Sequence, residues 1–213
     1  MPRKINKKSL KTANLFKGLS DLVLRRITSD PDKIYTGQQL ANELNISDTW
    51  ANRILKTLEF EGFVKREGSQ THCATKICNL DGLMQRWKLS YNINFNVHHA
   101  YFCTKDPLKN LVLAAKKEGF QYAITGHAAK AISKNKPIKD TPFVYIWPAK
   151  TSSHEFHDLL TLLEDNHDFI PVKKKETIII LEPYQKGNVF FGARDVGGYR
   201  VVADLQVELD QHS

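Results

Sequence analysis

The chain has 213 residues, a formal net charge of +8, 41% hydrophobic and 25% charged residues, which allows two modest domains with real cores and excludes a disordered or fibrous chain. No apolar run nears the roughly 20 residues of a membrane helix: the longest, TIIILEPY at 177–184, is strand length, and the basic amino terminus lacks the apolar core and cleavage site of a signal peptide. Three cysteines, Cys73, Cys78 and Cys103, with no CxxC pair exclude a disulfide framework and match no common zinc spacing, so a cytoplasmic protein without metal or cofactor is the simplest reading.

Residues 1–19 form a basic tail, with Arg3, Lys4, Lys7, Lys8 and Lys11 either solubilising the chain or lying as an arm along DNA. Ser20 or Asp21 begins a helix, SDLVLRRIT, whose Leu22, Val23, Leu24 and Ile27 would be buried; the SDPDK segment ends it, because proline disfavours helical geometry in the residue before it.

The stretch TGQQLANELNISDTWANRILKTLEFEGFVKR, 36–66, predicts two helices. Leu40, Ala41 and Leu44 give one face of the first, and Ala51, Ile54, Leu55 and Leu58 one face of the second. Asn45-Ile46 turns the chain between them, Ser47 is the N-cap of the second, and Gly62 stands just beyond its end, where a left-handed cap favours glycine. The following FVKREGSQTHCATKI alternates about Gly68-Ser69 and reads as a hairpin. The order is that of a winged helix-turn-helix. Burial of the apolar faces would leave Asp48, Thr49, Asn52, Arg53 and Lys56 outward on the second helix, with Lys65 and Arg66 on the wing. Such side chains reach base edges and phosphates in a major groove. Leu58, Phe60, Phe63 and Val64 are assigned to the core; Trp50 either completes the core or sits at a protein–DNA boundary.

Charge supports that reading. Residues 1–78 hold 14 Lys+Arg against 8 Asp+Glu, the remaining 135 hold 17 against 15, and a basic excess at the helix-turn-helix is the footprint of phosphate contact.

Asp81 opens a short amphipathic helix, DGLMQRWKLSYN, and INFNVHHAYFC at 93–103 reads as a strand. Asp106-Pro107 gives an N-cap with proline at the first helical position, and Gly119 closes that helix. The strand FQYAIT runs into GHAAKAIS, placing Gly126 at a strand–helix junction; Phe143–Trp147 is another strand. Ser153 is predicted to cap a helix reaching about Asn166. Strands follow near 169–173, 177–182, 189–191 and 199–202, then a helix over Ala203–Leu209. Helices alternating with strands give a mixed α+β chain: a winged helix-turn-helix at 20–80, a connecting helix and strand at 81–104, and an α/β domain at 105–213.

Catalytic motifs are missing. No GxGxxG, Walker A or GxSxG pattern occurs. The Gly-Ser pair at 68–69 is not followed by the paired acids of a nucleotidyltransferase, which would hold magnesium. Asp204 and Asp210 are six apart, off one helical face, and adjacent His98 and His99 would point to opposite faces of a strand. Gly126 and His127 are the remaining candidates for an enzymatic site.

Four segments carry a family resemblance: LDGLMQRWKLSYN (80–92), FQYAITGHAAKAI (120–132), PFVYIWP (142–148) and IIILEPYQKGNVFFGARDVGGYRVVADLQVELD (178–210). They resemble the AbiEi-type family of transcriptional regulators, antitoxins of type IV toxin–antitoxin (abortive-infection) systems. LMQRWKLSY is similar to its Leu-x-x-x-Trp-x-x-x-Tyr element, YAITGHAA to its Tyr-x-x-Thr-Gly-x-x-Ala element, and Val202, Gln206 and Asp210 to its C-terminal helix signature; Glu208 departs from the family's tyrosine. The resemblance implies a repressor binding inverted repeats in the promoter of its own genes, two copies sharing one operator. It also implies a C-terminal half that antagonises a nucleotidyltransferase-class toxin without a tight complex. The alternative from another class is a protein-interaction module whose helix-turn-helix docks a partner.

Overall fold

The computed structural model describes residues 14–68, 73–149 and 153–212. The basic residues Arg3, Lys4, Lys7, Lys8 and Lys11 and the hairpin tip beyond Gly68 lie outside them. The chain is α+β and divides into two units, 1–85 and 86–213.

The first unit begins with three helices, α1 (Gly18–Thr28), α2 (Gly37–Leu44) and α3 (Asp48–Phe60), followed by strands β1 (Val64–Glu67) and β2 (Ala74–Ile77), paired antiparallel. The helix ends follow from local chemistry. Thr36 and Gln39 form a reciprocal capping box on α2, and left-handed Asn45 ends that helix. The Ser47 hydroxyl accepts the Trp50 N–H at 3.3 Å and starts α3. Gly62, at φ +79°, lets the Phe63 N–H reach back to the Leu58 carbonyl at 2.9 Å and stops α3. Val23, Leu24, Leu40, Ala51, Ile54, Leu55 and Leu58 are fully buried, each large side chain contributing about 1.5–3 kcal/mol relative to exposure. Phe60 departs from its core assignment and is 61% exposed. It lies two residues past Leu58, about 200° around the helix, and so faces water. Tyr35 forms a bridge with Thr75, its N–H donating at 2.9 Å and its carbonyl accepting at 2.8 Å, which adds a third short strand to the hairpin.

The unit boundary falls within α4 (Leu80–Ser90), where the Asn79 side chain accepts the Gly82 N–H at 2.9 Å. The second unit continues with β3 (Val97–Phe102), α5 (Pro107–Glu118), β4 (Phe120–Thr125), α6 (Gly126–Ser133), β5 (Phe143–Pro148) and α7 (Phe156–Asn166). It ends with β6 (Ile170–Pro171), β7 (Ile178–Glu182), β8 (Arg194–Val196), β9 (Tyr199–Val201) and α8 (Asp204–His212). One seven-stranded sheet has the order β6-β3-β7-β5-β4-β9-β8, parallel at β5/β7 and β4/β9 and antiparallel elsewhere. The central strands carry Ile124, Val144, Tyr145, Ile146, Ile178, Ile180 and Leu181 into the core. Consecutive buried residues on both sides of β5 mark a sheet covered on both faces.

Several predicted elements differ. β3, set apart at sequence level as part of a connector, is a strand of the large sheet, preceded by a short 3-10 helix at Ile93–Phe95. The strand expected at 189–191 is a 3-10 helix, Lys186–Phe190, whose backbone bonds close locally, such as Lys186 N–H to Pro183 and Asn188 N–H to Gln185. α7 is capped by Glu155 with Asp158 rather than by Ser153. β8 is an additional strand, joined to β9 through Gly197-Gly198, both at positive φ, as a tight hairpin turn requires.

Candidate functional site

In the first unit the seven sequence-assigned residues divide into two sets. Asp48, Thr49, Lys56 and Lys65 are exposed, whereas Asn52, Arg53 and Arg66 are half-buried. The Arg53 guanidinium carbon lies 5.1 Å from the centroid of the Trp50 ring, a cation–π stack that holds both side chains on the outer face of α3. Trp50 is 40% exposed, so it does not complete the core.

Asn52 and Arg66 are tied together. The Arg66 guanidinium donates to Asn52 Oδ1 at 3.0 Å and to Thr75 Oγ1 at 3.2 Å, while the Asn52 amide donates to the Asp48 carbonyl at 3.0 Å. The hairpin is thereby latched onto α3. Both side chains point less freely outward than their sequence positions suggested, because a long arginine can reach a neighbouring helix across the strand. Lys65 faces Lys76 across the β1–β2 ladder and pairs with Glu67 at 2.9 Å, all exposed. That exposed pair is weak.

The basic excess is localised. Of the 14 cations in residues 1–78, five lie in residues 1–13, leaving nine against eight acids in 14–78. Arg25 is buried beside Asp21 at 2.9 Å, and Arg26 and Lys33 both contact Glu43. Lys56 and Lys76 have no ion pair among the described residues.

In the second unit the resembling motifs converge on one buried carboxylate. Asp210 Oδ1 accepts from the Tyr91 hydroxyl at 2.6 Å, the Gln206 amide at 2.7 Å and the Tyr145 hydroxyl at 3.0 Å; Oδ2 accepts from the Thr125 hydroxyl. Asn96 donates to Tyr91 and Tyr145 at 3.2 and 3.3 Å. The i,i+4 spacing of Gln206 and Asp210 puts both on the inner face of α8. Burial pushes the Asp210 carboxyl above its ordinary value despite four donors, and carries the Tyr145 hydroxyl well above the phenol range. The cluster is buried apart from half-buried Tyr91 and its hydrogen bonds are internal, so it acts as a structural lock joining the segment that follows α4 to β4, β5 and α8. Thr125 is the threonine of the YAITGHAA element, whereas Asn96 and Tyr145 join the cluster without a signature position of their own; Tyr145 lies inside the PFVYIWP segment, the signal that points to it.

No known family, characterised protein or solved structure matches this chain. Function therefore has to be argued from its own residues.

Gly126 and His127 open α6 directly after β4, with Gly126 at φ +62°. His127 is exposed and has no acid or base partner among the described residues. That arrangement offers neither a nucleophile–base pair nor a set of metal ligands. No described helix is long and apolar enough to cross a membrane.

Proposed function

We propose that the chain is a DNA-binding transcriptional repressor whose first unit is a winged helix-turn-helix, with α3 as the recognition helix. The carrying observation is the outer face of α3, where Arg53 stacks on solvent-exposed Trp50 between exposed Thr49 and Lys56. The stack limits the arginine's rotamer freedom and so lowers the entropy lost on contacting a base edge. Thr49 and Arg53 would read bases and Lys56 and Lys65 would contact phosphates; Asn52 and Arg66 would join them, a base edge and a phosphate respectively, only on giving up their mutual hydrogen bond. Residues 1–13 add five cations for the backbone.

The resemblance extends the proposal to an autoregulating antitoxin of a type IV pair, bound to promoter inverted repeats as two copies, with a nucleotidyltransferase-class toxin as functional partner. The meeting of Tyr91, Thr125, Gln206 and Asp210 supports it, because motif residues far apart in sequence serve one interior feature. Fold signature alone does not carry function, so the two halves need separate tests. A footprint on the upstream promoter tests the first: protection of an inverted repeat, with affinity falling steeply as salt rises, is expected. Absence of promoter binding at roughly 0.1 M salt, where phosphate contacts still hold, sinks it. Relief of growth arrest on co-expression with a nucleotidyltransferase from the neighbouring reading frame tests the second.

Exposed Phe60 and Ile34, at 61% and 57%, favour the second reading, a protein-docking unit. A chain that captures a protein partner but shifts no promoter fragment would establish it.

A further inference from the structure

A cavity of about 620 Å³ opens in the second unit between the start of α5, the segment 134–142 and the β8–β9 turn. That volume lies in the range of small-molecule sites. Its apolar wall is made by Ile132, Ile138 and Tyr199, each packed against the core by one side and left partly open by the other. Its polar rim carries Lys136 and Lys139. A second cavity, of about 460 Å³, lies along the same segment, shares those two lysines and is bordered further by Lys130 and Lys134. All four lysines are exposed and none has an ion pair among the described residues.

Charge accounting makes this placement unusual. The second unit, residues 86–213, holds 17 Lys+Arg and 14 Asp+Glu, and within it residues 126–142 hold four lysines and one acid, Asp140. The rest of the unit is balanced at 13 each, so one short segment supplies its whole net charge. Of the acids on the cavity wall, Asp106 is already committed: it accepts the Leu108 and Lys109 N–H groups at 3.1 Å and lies 3.5 Å from Lys109 Nζ. Asp140 alone cannot neutralise four lysines. Unscreened like charges around a concave, partly apolar surface repel one another and raise the local concentration of anions.

We propose that this cavity binds a nucleoside polyphosphate, the base on the Tyr199–Ile132–Ile138 wall and the phosphates along Lys136 and Lys139, with Lys130 and Lys134 adding to the field. A simple carboxylate or monoanion answers neither the four cations nor the apolar wall. A polyphosphate brings several negative charges at spacings that flexible lysines follow as point charges. A purine or pyrimidine supplies the flat, amphipathic body that an aromatic ring beside two isoleucines takes by stacking. The site lies wholly within the second unit, so it stands independently of the DNA-binding proposal.

The test uses the full chain and a fluorescent ATP analogue, with unlabelled ATP, tripolyphosphate, a single-stranded RNA and a DNA duplex as competitors. Saturable binding is expected, displaced best by ATP. The double variant Lys136→Gln/Lys139→Gln should weaken it at least tenfold, while a control pair from the other basic run, Lys173→Gln/Lys174→Gln, leaves it within twofold. Tyr199→Leu should weaken ATP but not tripolyphosphate, separating base contact from charge attraction. Thermal denaturation of each variant checks that the fold is kept; should Tyr199→Leu fail to fold, Ile138→Asn replaces it. The proposal is overturned by any of three results: no saturable binding, equal loss in the control pair, or displacement by RNA or duplex but not by ATP. Promoter binding by the Lys136/Lys139 variant should be unchanged, which keeps failure here distinct from failure of the repressor reading.

Discussion

The Tyr91 hydroxyl donates a 2.6 Å hydrogen bond to Asp210 across 119 residues of sequence, joining the segment just after α4 to the inner face of α8. Asp210 is also the acceptor for Tyr145, Gln206 and Thr125. Removing its carboxylate takes an acceptor from four donors at once, while Tyr91, Tyr145 and Gln206 keep hydrogen bonds to one another. Asp210→Ala should therefore lower stability by about 1–3 kcal/mol, chiefly by taking the acceptor of buried Thr125, and Tyr91→Phe by less, since Asp210 keeps three other donors. Urea denaturation measures both. A loss under about 1 kcal/mol for Asp210→Ala would show that the cluster is not a lock.

Buried Asp210 and half-buried His99 should bend the stability–pH curve in opposite senses. Burial raises the Asp210 carboxyl above its ordinary 3.8, so the folded chain binds this proton more tightly than the unfolded one. Its contribution is full below that value and is lost as pH rises through the folded value. Burial beside Phe156 lowers His99 from 6.5, the like-charged neighbours His98 and His157 adding to the shift and Glu182 and Glu164 opposing it. That contribution is full above pH 6.5 and is lost as pH falls through the folded value. His99→Gln should flatten the curve below pH 6.5, and Asp210→Asn should flatten it just above 3.8. Urea midpoints across that range test both, and unchanged curvature in either variant refutes its assignment.

On the proposed DNA face, Arg53 and Lys65 should behave differently. Arg53→Ala is expected to lose about 1–3 kcal/mol of operator affinity and relax sequence preference, whereas Lys65→Ala weakens all sequences alike and flattens the salt slope. Glu67→Gln releases Lys65 from its 2.9 Å pair and should tighten non-specific binding only slightly, since both groups are exposed. Gel shifts over a salt series separate these cases. Identical behaviour of Arg53→Ala and Lys65→Ala contradicts the roles given to them.

Gly37 offers a probe of the latch. A Cβ there would come within 2.5 Å of the Asn52 amide, the movable end of a side chain. Gly37→Ala should displace Asn52 from Arg66 while gaining less helix propensity than the roughly 1 kcal/mol of a helix interior, since Gly37 is the first residue of α2. Overall stability should change by less than that amount, but operator affinity should fall. A variant that binds its operator normally would show that the Asn52–Arg66 bond is dispensable for recognition.

Local chemistry made much of the fold readable beforehand. Ser47, Asp106, Gly62 and Gly119 each sit where their caps require, because capping is decided by nearby backbone geometry. Phe60 misled, since a hydrophobic residue at a helix end carries no label for the face it occupies. The 189–191 strand failed because Val189 and Phe190 are buried from a 3-10 turn, and burial alone does not distinguish that from a strand. The β8–β9 hairpin is marked in the sequence by Gly197-Gly198, the pair that its two-residue turn needs. On the candidate site, side-chain type was readable at Thr49 and Lys56, but the commitment of Asn52 to Arg66 depends on tertiary proximity that no spacing reveals. The Asp210 hub was legible only as scattered motif residues; Tyr145 and Asn96 join it through sheet topology.

Because α8 donates the acceptor at the centre of that hub, a ribosome must polymerise past residue 210 before Tyr91, Thr125 and Tyr145 find their common partner. A nascent chain exposing only the earlier strands therefore carries buried-type hydroxyls without a destination. The second unit should resist proteolysis only once α8 has emerged and docked, later than the formation of its strands.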